Sequence, residues 1–587
     1  MSIEPDQLYK IRHSLAHVLA MAVLEVFPEA KLAIGPPVDN GFYYDLDLPR
    51  ALSPEDLPDI QSRMEKIVAQ KLDFTVSEHS IEEALKDFAD QPYKKELIED
   101  LAAKGEKTVT YYTSGTFFDL CKGPHLANTS EVPKACFELS HAAGAYWRGD
   151  EKRPMLQRIY GICFESRDAV KTYKAQVEEA KKRDHRKLGV ELDLFTFSDL
   201  VGSGLPLWTP KGNILRLLLD EYVWNLRRGY GYERVEIPHI TKKDLYEKSG
   251  HWEKFQDELF HITTREGHEF VMKPMNCPHH TQIFARRKWS YREMPQRYSN
   301  TTMCYRDEQS GELTGLSRLR SFTQDDAHVF CRYDQAQSEI LNVLNIIEQF
   351  YGRFGFTLKA RLSFHDPENM GAYLGDAATW EKSESELKAL VEQKGLDYFV
   401  GIGEAAFYGP KIDFMASDSL GRPHQVATVQ LDMLMPGRFG LTYTGESGQE
   451  EPVLMIHVAI MGSIERFLSV LIEHLAGNFP YWLAPTQIAV LAVSDQFNGA
   501  AEELAQKLRT DGLRVVVDTS AESVGKKIRT ASLQKIPGKI VVGQQEVDSA
   551  KDAEMTFKVN WRTDLAEKYS EGPYTAQNLI QDVPSAV

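Results

Sequence analysis

Nowhere in the 587 residues is there an apolar run of the roughly 18 to 20 residues that a membrane-crossing helix needs. The opening MSIEPDQLYK lacks the basic-then-apolar layout of a secretory signal, so a cytoplasmic location is expected. Cysteine is scarce. Cys121, Cys136, Cys163, Cys277, Cys304 and Cys331 are too few and too scattered for a disulfide scaffold, and reduced thiols are expected. No G-x-x-x-x-G-K-[ST] loop and no G-x-G-x-x-G strand-turn-helix signal occurs, so any nucleotide phosphate must be held by another device. Positive charge is also short, with 68 Lys and Arg against 85 Asp and Glu and a net charge of -17. That balance disfavours a protein that coats nucleic acid nonspecifically and leaves docking at defined basic patches.

What is present is an ordinary globular composition, 42% hydrophobic and 26% charged, in a chain too long for one core. Residues 8 to 27 place Ile11, Leu15, Val18, Ala22 and Val26 on one helical stripe, with His13 and His17 on another face. Helices and short strands alternate from there to about residue 170, which predicts an α+β module over 1–170. The charged, helix-favouring stretch at 171–189 predicts a helical linker. Strands and long helices follow over 190–482. Beyond Leu483-Ala484-Pro485 the order strand, helix, strand, helix, strand predicts a separate α/β domain with a small, largely parallel sheet over 483–587.

Three segments of the central region concentrate polar residues in strand-like sequence. In RSFTQDDAHVF (320–330), Phe322, Gln324, Asp326 and His328 recur at period two and so share one strand face, a poor core and a good site. MCYRDE groups Cys304, Arg306 and Glu308 in the same way, and QSGELTGLSR between the two segments predicts a connection of antiparallel strands. MIHVAI (455–460) reads as a strand, Gly462 as a turn and Ser463 as the N-cap of a helix. Arg466 then falls in that helix's first turn, where a cation opposes the dipole, and an anionic ligand would account for it. Near the N-terminus, His13 and His17 stand one helical turn apart, and DLCKGPH supplies Cys121 and His125. HxxxH and CxxxH can converge, and spacing alone admits a tetrahedral metal site there.

CYRDEQSGELTGLSRLRSFTQDDAHVF resembles motif 2 of the class II aminoacyl-tRNA synthetases, IMGSIERF motif 3 and GYERVEIPHI (231–240) motif 1. KPMNCPHH (273–280), TQDDAH and MIH point within that class to the threonyl-tRNA synthetase family. The resemblance runs from about residue 8 to the C-terminus. It implies an antiparallel-sheet catalytic domain flanked by an N-terminal editing module and a C-terminal anticodon-binding domain. It also implies that threonine is activated with ATP and Mg2+, transferred to the terminal adenosine of tRNA(Thr), and that mischarged seryl-tRNA is hydrolysed.

By the same resemblance Arg306 holds the α-phosphate, Glu308 the adenine amino group, Phe322 stacks on adenine, Arg466 clamps the γ-phosphate and Arg318 assists. Cys277, His328 and His457 match three zinc ligands, at a spacing too wide for any finger pattern. Three ligands leave zinc an open position, as in catalytic sites. Asp326 orients the substrate hydroxyl, Gln324, Tyr408, Lys411 and Gln425 complete the pocket or the ATP site, and His251 assists transfer to the ribose. Zinc rewards a hydroxyl over isosteric valine but cannot easily reject serine, which lacks only a methyl worth about 1 to 3 kcal/mol. A second, hydrolytic site is therefore expected. The resemblance implies a metal-independent one, with His13, Lys94 and His125 positioning water and Tyr44, His17, Asp119 and Cys121 shaping the pocket.

Motif 1 implies a homodimer through the region around Pro238. The chain departs from the family in three places. The match begins almost at residue 1, so the small ubiquitin-like N-terminal domain of many relatives is expected to be absent. His279 stands where relatives commonly carry Gly, beside Cys277, as a candidate competitor for metal. MTFKVNWRTDLAEK (555–568) replaces a basic stretch, so Arg529 and Glu546 are the tRNA contacts implied late in the chain. Two rival functions are open to such a chain: a class II synthetase for another amino acid, disfavoured by Cys277, His328 and His457 together, and a synthetase-derived RNA-binding regulator, disfavoured by Arg306, Glu308, Phe322 and Arg466.

Overall fold

The structure is a computed structural model that describes residues 4–53, 55–551 and 553–583. It divides into two compact units, Met1–Glu179 and Ala180–Val587.

The first unit is built on α1 (Pro5–Val26), whose predicted stripe is buried at Ile11, Leu15, Val18 and Ala22. The helix packs on α2 (Asp56–Ala69) and on a largely antiparallel sheet of β1 (Lys31–Leu32), β2 (Gly41–Asp47), β6 (Phe137–Tyr146) and β7 (Met155–Cys163), in the order β1-β2-β7-β6. A second antiparallel sheet joins β3 (Thr75–Ser80), β4 (Thr108–Ser114) and β5 (Phe117–Leu120), with α3 (Pro92–Ala103) preceding β4. Helix α4 (Arg167–Arg183) spans the boundary between the units, and Asp184 then caps α5 (His185–Glu191).

The second unit is centred on eight strands in the order β8 (Glu233–Arg234), β10 (Gln296–Tyr305), β11 (Ser321–Cys331), β16 (Leu454–Ser463), β15 (Pro423–Asp432), β14 (Lys411–Ser417), β12 (Thr357–Phe364), β13 (Tyr398–Ile402). The six inner strands are antiparallel, and the edge strands β8 and β13 run parallel to their neighbours. One face packs on α6 (Pro210–Gly229), α8 (Ala336–Gly352) and α9 (Ile464–Leu475), whose apolar faces bury Leu215, Leu219, Ile347, Phe350, Phe467 and Leu471. The other face stays open and polar. β9 (Glu269–Met272) and α7 (Cys277–Phe284) lie beside it.

A buried ion pair ties helix and sheet together. Arg227 of α6 reaches Asp325 of β11 at 2.5 Å, and the other Asp325 oxygen accepts the Ile460 and Met461 N–H groups of β16. Those N–H groups are free because the β11–β16 register shifts between Asp325 and Ala327, so the carboxylate takes the place of ladder bonds. The C-terminal part has a core of its own around Ile488, Val490, Leu504 and Ile540. Its strands β17 (Ile488–Ala492), β18 (Val515–Asp518), β19 (Gly538–Val542) and β20 (Asn560–Trp561) run in the order β18-β17-β19-β20, with the first three parallel. That is the sheet which strand and helix alternation predicted. Between the strands run α10 (Asn498–Thr510) and α11 (Val524–Leu533).

Candidate active sites

The open face of the large sheet carries two adjoining clefts. One, of about 590 Å³, is lined by His251, Cys277, Gln324, Asp326, His328, Tyr408, Lys411, Gln430 and His457 among others. The second is lined by Glu308, Arg318, Phe322, Gln425, Ser463 and Arg466. Arg306 and Gln324 line both. Strand pleating produces this: in β11 the alternate residues 322, 324, 326 and 328 all reach the open side. The expected grouping of Cys304 with Arg306 and Glu308 holds only in part. β10 ends at Tyr305, Cys304 is buried in the core, and Arg306 and Glu308 belong to the loop that follows.

In the first cleft the Cys277, His328 and His457 donor atoms lie within 4.8 Å of one another and are buried. His457 donates Nε2–H to Asp432 at 2.9 Å, which turns Nδ1 toward His328 Nε2 at 3.1 Å. His328 Nδ1 is 2.8 Å from His280 Nδ1. Burial holds His328 neutral and pushes the Cys277 thiol up. Neutral imidazoles oriented by outer partners, with a thiol that a cation would deprotonate, fit a divalent transition metal with a side open to the cleft. His279 lies outside this donor group. Its two ring nitrogens are buried without partners among the described residues, and burial brings its pKa down to about 4.

Around the tripod, Tyr408 stacks on the His457 ring with centroids 4.9 Å apart and donates to Gln430 at 2.5 Å. Lys411 pairs with Asp413 at 2.9 Å. Burial raises the Asp326 carboxyl to about 6, and Asn276 donates to it at 3.1 Å. His251 has Ser249 Oγ 2.8 Å from Nδ1, and Ser249 gives its own proton to the Tyr246 carbonyl. The ring therefore presents Nε2 as an acceptor, and burial lowers its pKa to about 3.

In the second cleft the Arg306 guanidinium lies 5.2 Å from the centre of the Phe322 ring. Ser463 caps α9 by accepting the Arg466 N–H at 3.2 Å, as predicted. Among the described residues the guanidinium groups of Arg306 and Arg466 form no ion pair, which leaves two cations facing one cavity. Glu465, next to Arg466 in the chain, pairs instead with Arg216 at 3.6 Å. Its carboxylate is buried and accepts from Thr323 N–H and from the hydroxyls of Thr323 and Ser463. Arg318 is paired instead, with Glu308 at 2.7 Å and Glu312 at 3.2 Å, and Gln425 accepts from Arg361 at 3.0 Å.

The first unit gathers all seven residues expected there. Asp119 is buried between Tyr44 and Lys94, each at 2.5 Å, with His17 Nε2 3.7 Å away. Cys121 Sγ is 3.2 Å from both His13 Nε2 and His125 Nε2. His13 donates Nδ1–H to the Pro124 carbonyl at 3.1 Å. Desolvation lowers the pKa of all three histidines, furthest at His17 and His125, and raises the Cys121 thiol to about 11, so the cluster is uncharged apart from the Lys94–Asp119 pair. Ser14, which sequence reading missed, is 3.3 Å from His125 Nδ1.

The remaining pair of expected residues lies in the C-terminal part. Arg529 is exposed on α11, and Glu546 accepts the Gly543 N–H at 2.9 Å, which caps its own short helix.

Residues 260–475 match the tRNA synthetase class II core domain (G, H, P, S and T), 487–569 the anticodon binding domain, and 109–160 the threonyl and alanyl tRNA synthetase second additional domain. The threonine--tRNA ligase of Gloeobacter violaceus is 48% identical, over 93% of this chain and 88% of that protein. That of Deinococcus radiodurans is 46% identical, over 92% and 84%. The chain belongs to the threonine--tRNA ligase family. Among solved structures, the RNA binding domain of threonyl-tRNA synthetase from Cryptosporidium parvum Iowa II is 36% identical with a TM-score of 0.64, covering 68% of this chain and 98% of that one. Prolyl-tRNA synthetase from Giardia lamblia, at 16% identity and a TM-score of 0.52, shares the fold. A threonine--tRNA ligase is an enzyme of class II, and most of the antiparallel sheet falls within the residues that match that class's core domain. No helix among the described residues is long and apolar enough to cross a membrane.

Proposed function

We propose that the chain activates threonine with ATP and Mg2+, transfers it to the 3′-terminal adenosine of tRNA(Thr), and hydrolyses seryl-tRNA(Thr) at a separate site. The observation that carries the reading is the junction of the two clefts at Arg306, with a Cys–His–His tripod on one side and, on the other, Arg466, which forms no ion pair among the described residues. The threonine carboxylate attacks the α-phosphorus and pyrophosphate leaves. Arg306 lies at the boundary where that bond forms, and Arg466 faces the leaving phosphates. Fixed guanidinium groups stabilise the developing charge without reorganising. Phe322 stacks on adenine. For Glu308 to reach the adenine amino group it must first exchange its ion pair with Arg318.

Cys277, His328 and His457 would hold one zinc per subunit, which when bound supplies a coordination position for an amino group and a neighbouring hydroxyl together. Asp326 accepts the proton of that hydroxyl, and Gln324, Tyr408, Lys411, Gln425 and Gln430 enclose the amino acid and the phosphates. In the second step the terminal ribose hydroxyl attacks the activated carbonyl and AMP leaves. His251 presents its unprotonated Nε2 to that cleft as the acceptor for the ribose proton.

In the N-terminal unit, water attacks the seryl ester carbonyl and the ribose oxygen leaves with a proton. His13, Lys94 and His125 hold the water, while Tyr44, His17, Asp119 and Cys121 shape a pocket for a side chain without the threonine methyl. The domain reading is editing module 1–170, linker 171–189, catalytic domain 190–482 and anticodon-binding domain 483–587. Arg529 and Glu546 contact tRNA, the species is a cytoplasmic homodimer, and the motif 1 segment around Pro238 forms its interface. Aminoacylation of tRNA(Thr) with labelled threonine, alongside metal analysis of wild type and Cys277→Ala, tests the reading. Threonyl-tRNA formation with one metal lost from the variant is expected. Protein that binds tRNA but exchanges no pyrophosphate would contradict it.

A further inference from the structure

Lys273 is completely buried and meets no carboxylate at ion-pair distance among the described residues. Its Nζ donates to Asn276 Oδ1 at 3.1 Å and to Thr302 Oγ1 at 3.0 Å. An ammonium in that setting is costly, and burial pushes its pKa down. Packing alone would be served better by an apolar side chain. Asn276 is equally buried. Its Oδ1 takes the Lys273 ammonium and the Cys304 thiol at 3.6 Å, so the amide has a single orientation and Nδ2 must point away from both. What it points at is Asp326 Oδ2, 3.1 Å away.

The chain Lys273, Asn276, Asp326 therefore runs from the protein interior to the floor of the first cleft. Charge at its buried end polarises the amide and strengthens the last donor. The other Asp326 oxygen is 3.8 Å from His328 Nε2. A carboxylate released from Asn276 could swing onto the tripod as a fourth ligand, which would close the position that a substrate needs.

We propose that Lys273 and Asn276 are positioning residues that fix Asp326 to receive the substrate hydroxyl, and so set the preference for a hydroxyl-bearing side chain over an isosteric apolar one. This rests on Asp326 as the hydroxyl acceptor. Neither residue touches the substrate. Both belong to the segment between β9 and α7, pinned where Lys273 N–H meets the His239 carbonyl and Tyr305 N–H meets the Lys273 carbonyl.

The test compares Asn276→Ala and Lys273→Met in the full chain, measuring threonine- and valine-dependent ATP–pyrophosphate exchange together with metal content. An unanchored buried carboxylate should lower kcat/KM for threonine by about tenfold or more, with the valine value, the KM for ATP and the metal content unmoved. Equal losses for both amino acids would show ordinary structural damage and overturn the inference. So would an unchanged preference in Asn276→Ala, or a preference lost only together with metal. Asp326→Asn separates the two levels. If it leaves the preference intact, the reading of Asp326 itself fails; if it abolishes the preference while Asn276→Ala does not, only the positioning inference fails.

Discussion

His13 shows how much of this chemistry is decided by one proton. The Pro124 carbonyl can only accept, so Nδ1 must donate and Nε2 is left as an acceptor facing Cys121. His13→Ala removes that acceptor without touching the other unit, so seryl-tRNA should accumulate while threonine activation stays at wild-type rate, read by deacylation and exchange assays on the same preparation. Normal clearance of seryl-tRNA by the variant would dismiss the assignment. Asp432 plays the corresponding part for His457, whose Nε2–H it accepts. Asp432→Asn should weaken metal retention by about 10- to 100-fold in chelator competition, and retention equal to wild type would remove Asp432 from the account. The orienting roles of Asp432 and His280 were not legible in the sequence, because an outer partner is recognised only once the ring it orients has a direction. Cys277, His328 and His457 were no more legible by spacing, being 51 and 129 residues apart; motif likeness, not periodicity, singled them out.

At the scale of elements, strands were legible wherever polar residues kept period two. β11 gave up Phe322, Gln324, Asp326 and His328 in that way. The same signal is present in β15, where Thr428, Gln430 and Asp432 alternate with apolar Val429 and Leu431; Thr428 and Gln430 line the first cleft and Asp432 holds His457. The end of β10 at Tyr305 was not legible, since Arg306 and Glu308 continue the alternation after pairing has stopped. What the pattern cannot show is the tie across elements. Arg227 and Asp325 join α6, β11 and β16 beneath both clefts, and removing one partner strands the other charge in the core. Asp325→Ala should cost about 3 to 5 kcal/mol, seen as an earlier denaturation midpoint for the transition of the second unit. A midpoint within error of wild type would show that the pair is not a structural tie.

Taken whole, the molecule separates synthesis from correction. One unit carries an open polar sheet with the Arg306 and Arg466 guanidinium groups and a soft tripod; the other carries a largely buried, nearly uncharged histidine and cysteine cluster. The division follows from the physics of selection: a site that rewards a hydroxyl cannot strongly reject a smaller side chain bearing the same hydroxyl, so the smaller one must be removed elsewhere. Point variants should therefore not cross over. Arg466→Ala should depress exchange by about 100-fold or more and leave hydrolysis of preformed seryl-tRNA unchanged, and a parallel loss of both would contradict two independent sites. The central claim is that the Cys277–His328–His457 cleft selects its amino acid by a hydroxyl. ATP–pyrophosphate exchange by the wild-type protein with threonine, valine and serine in parallel tests it most directly. The account predicts strong exchange with threonine, measurable exchange with serine and little with valine; exchange with valine equal to that with threonine would contradict it.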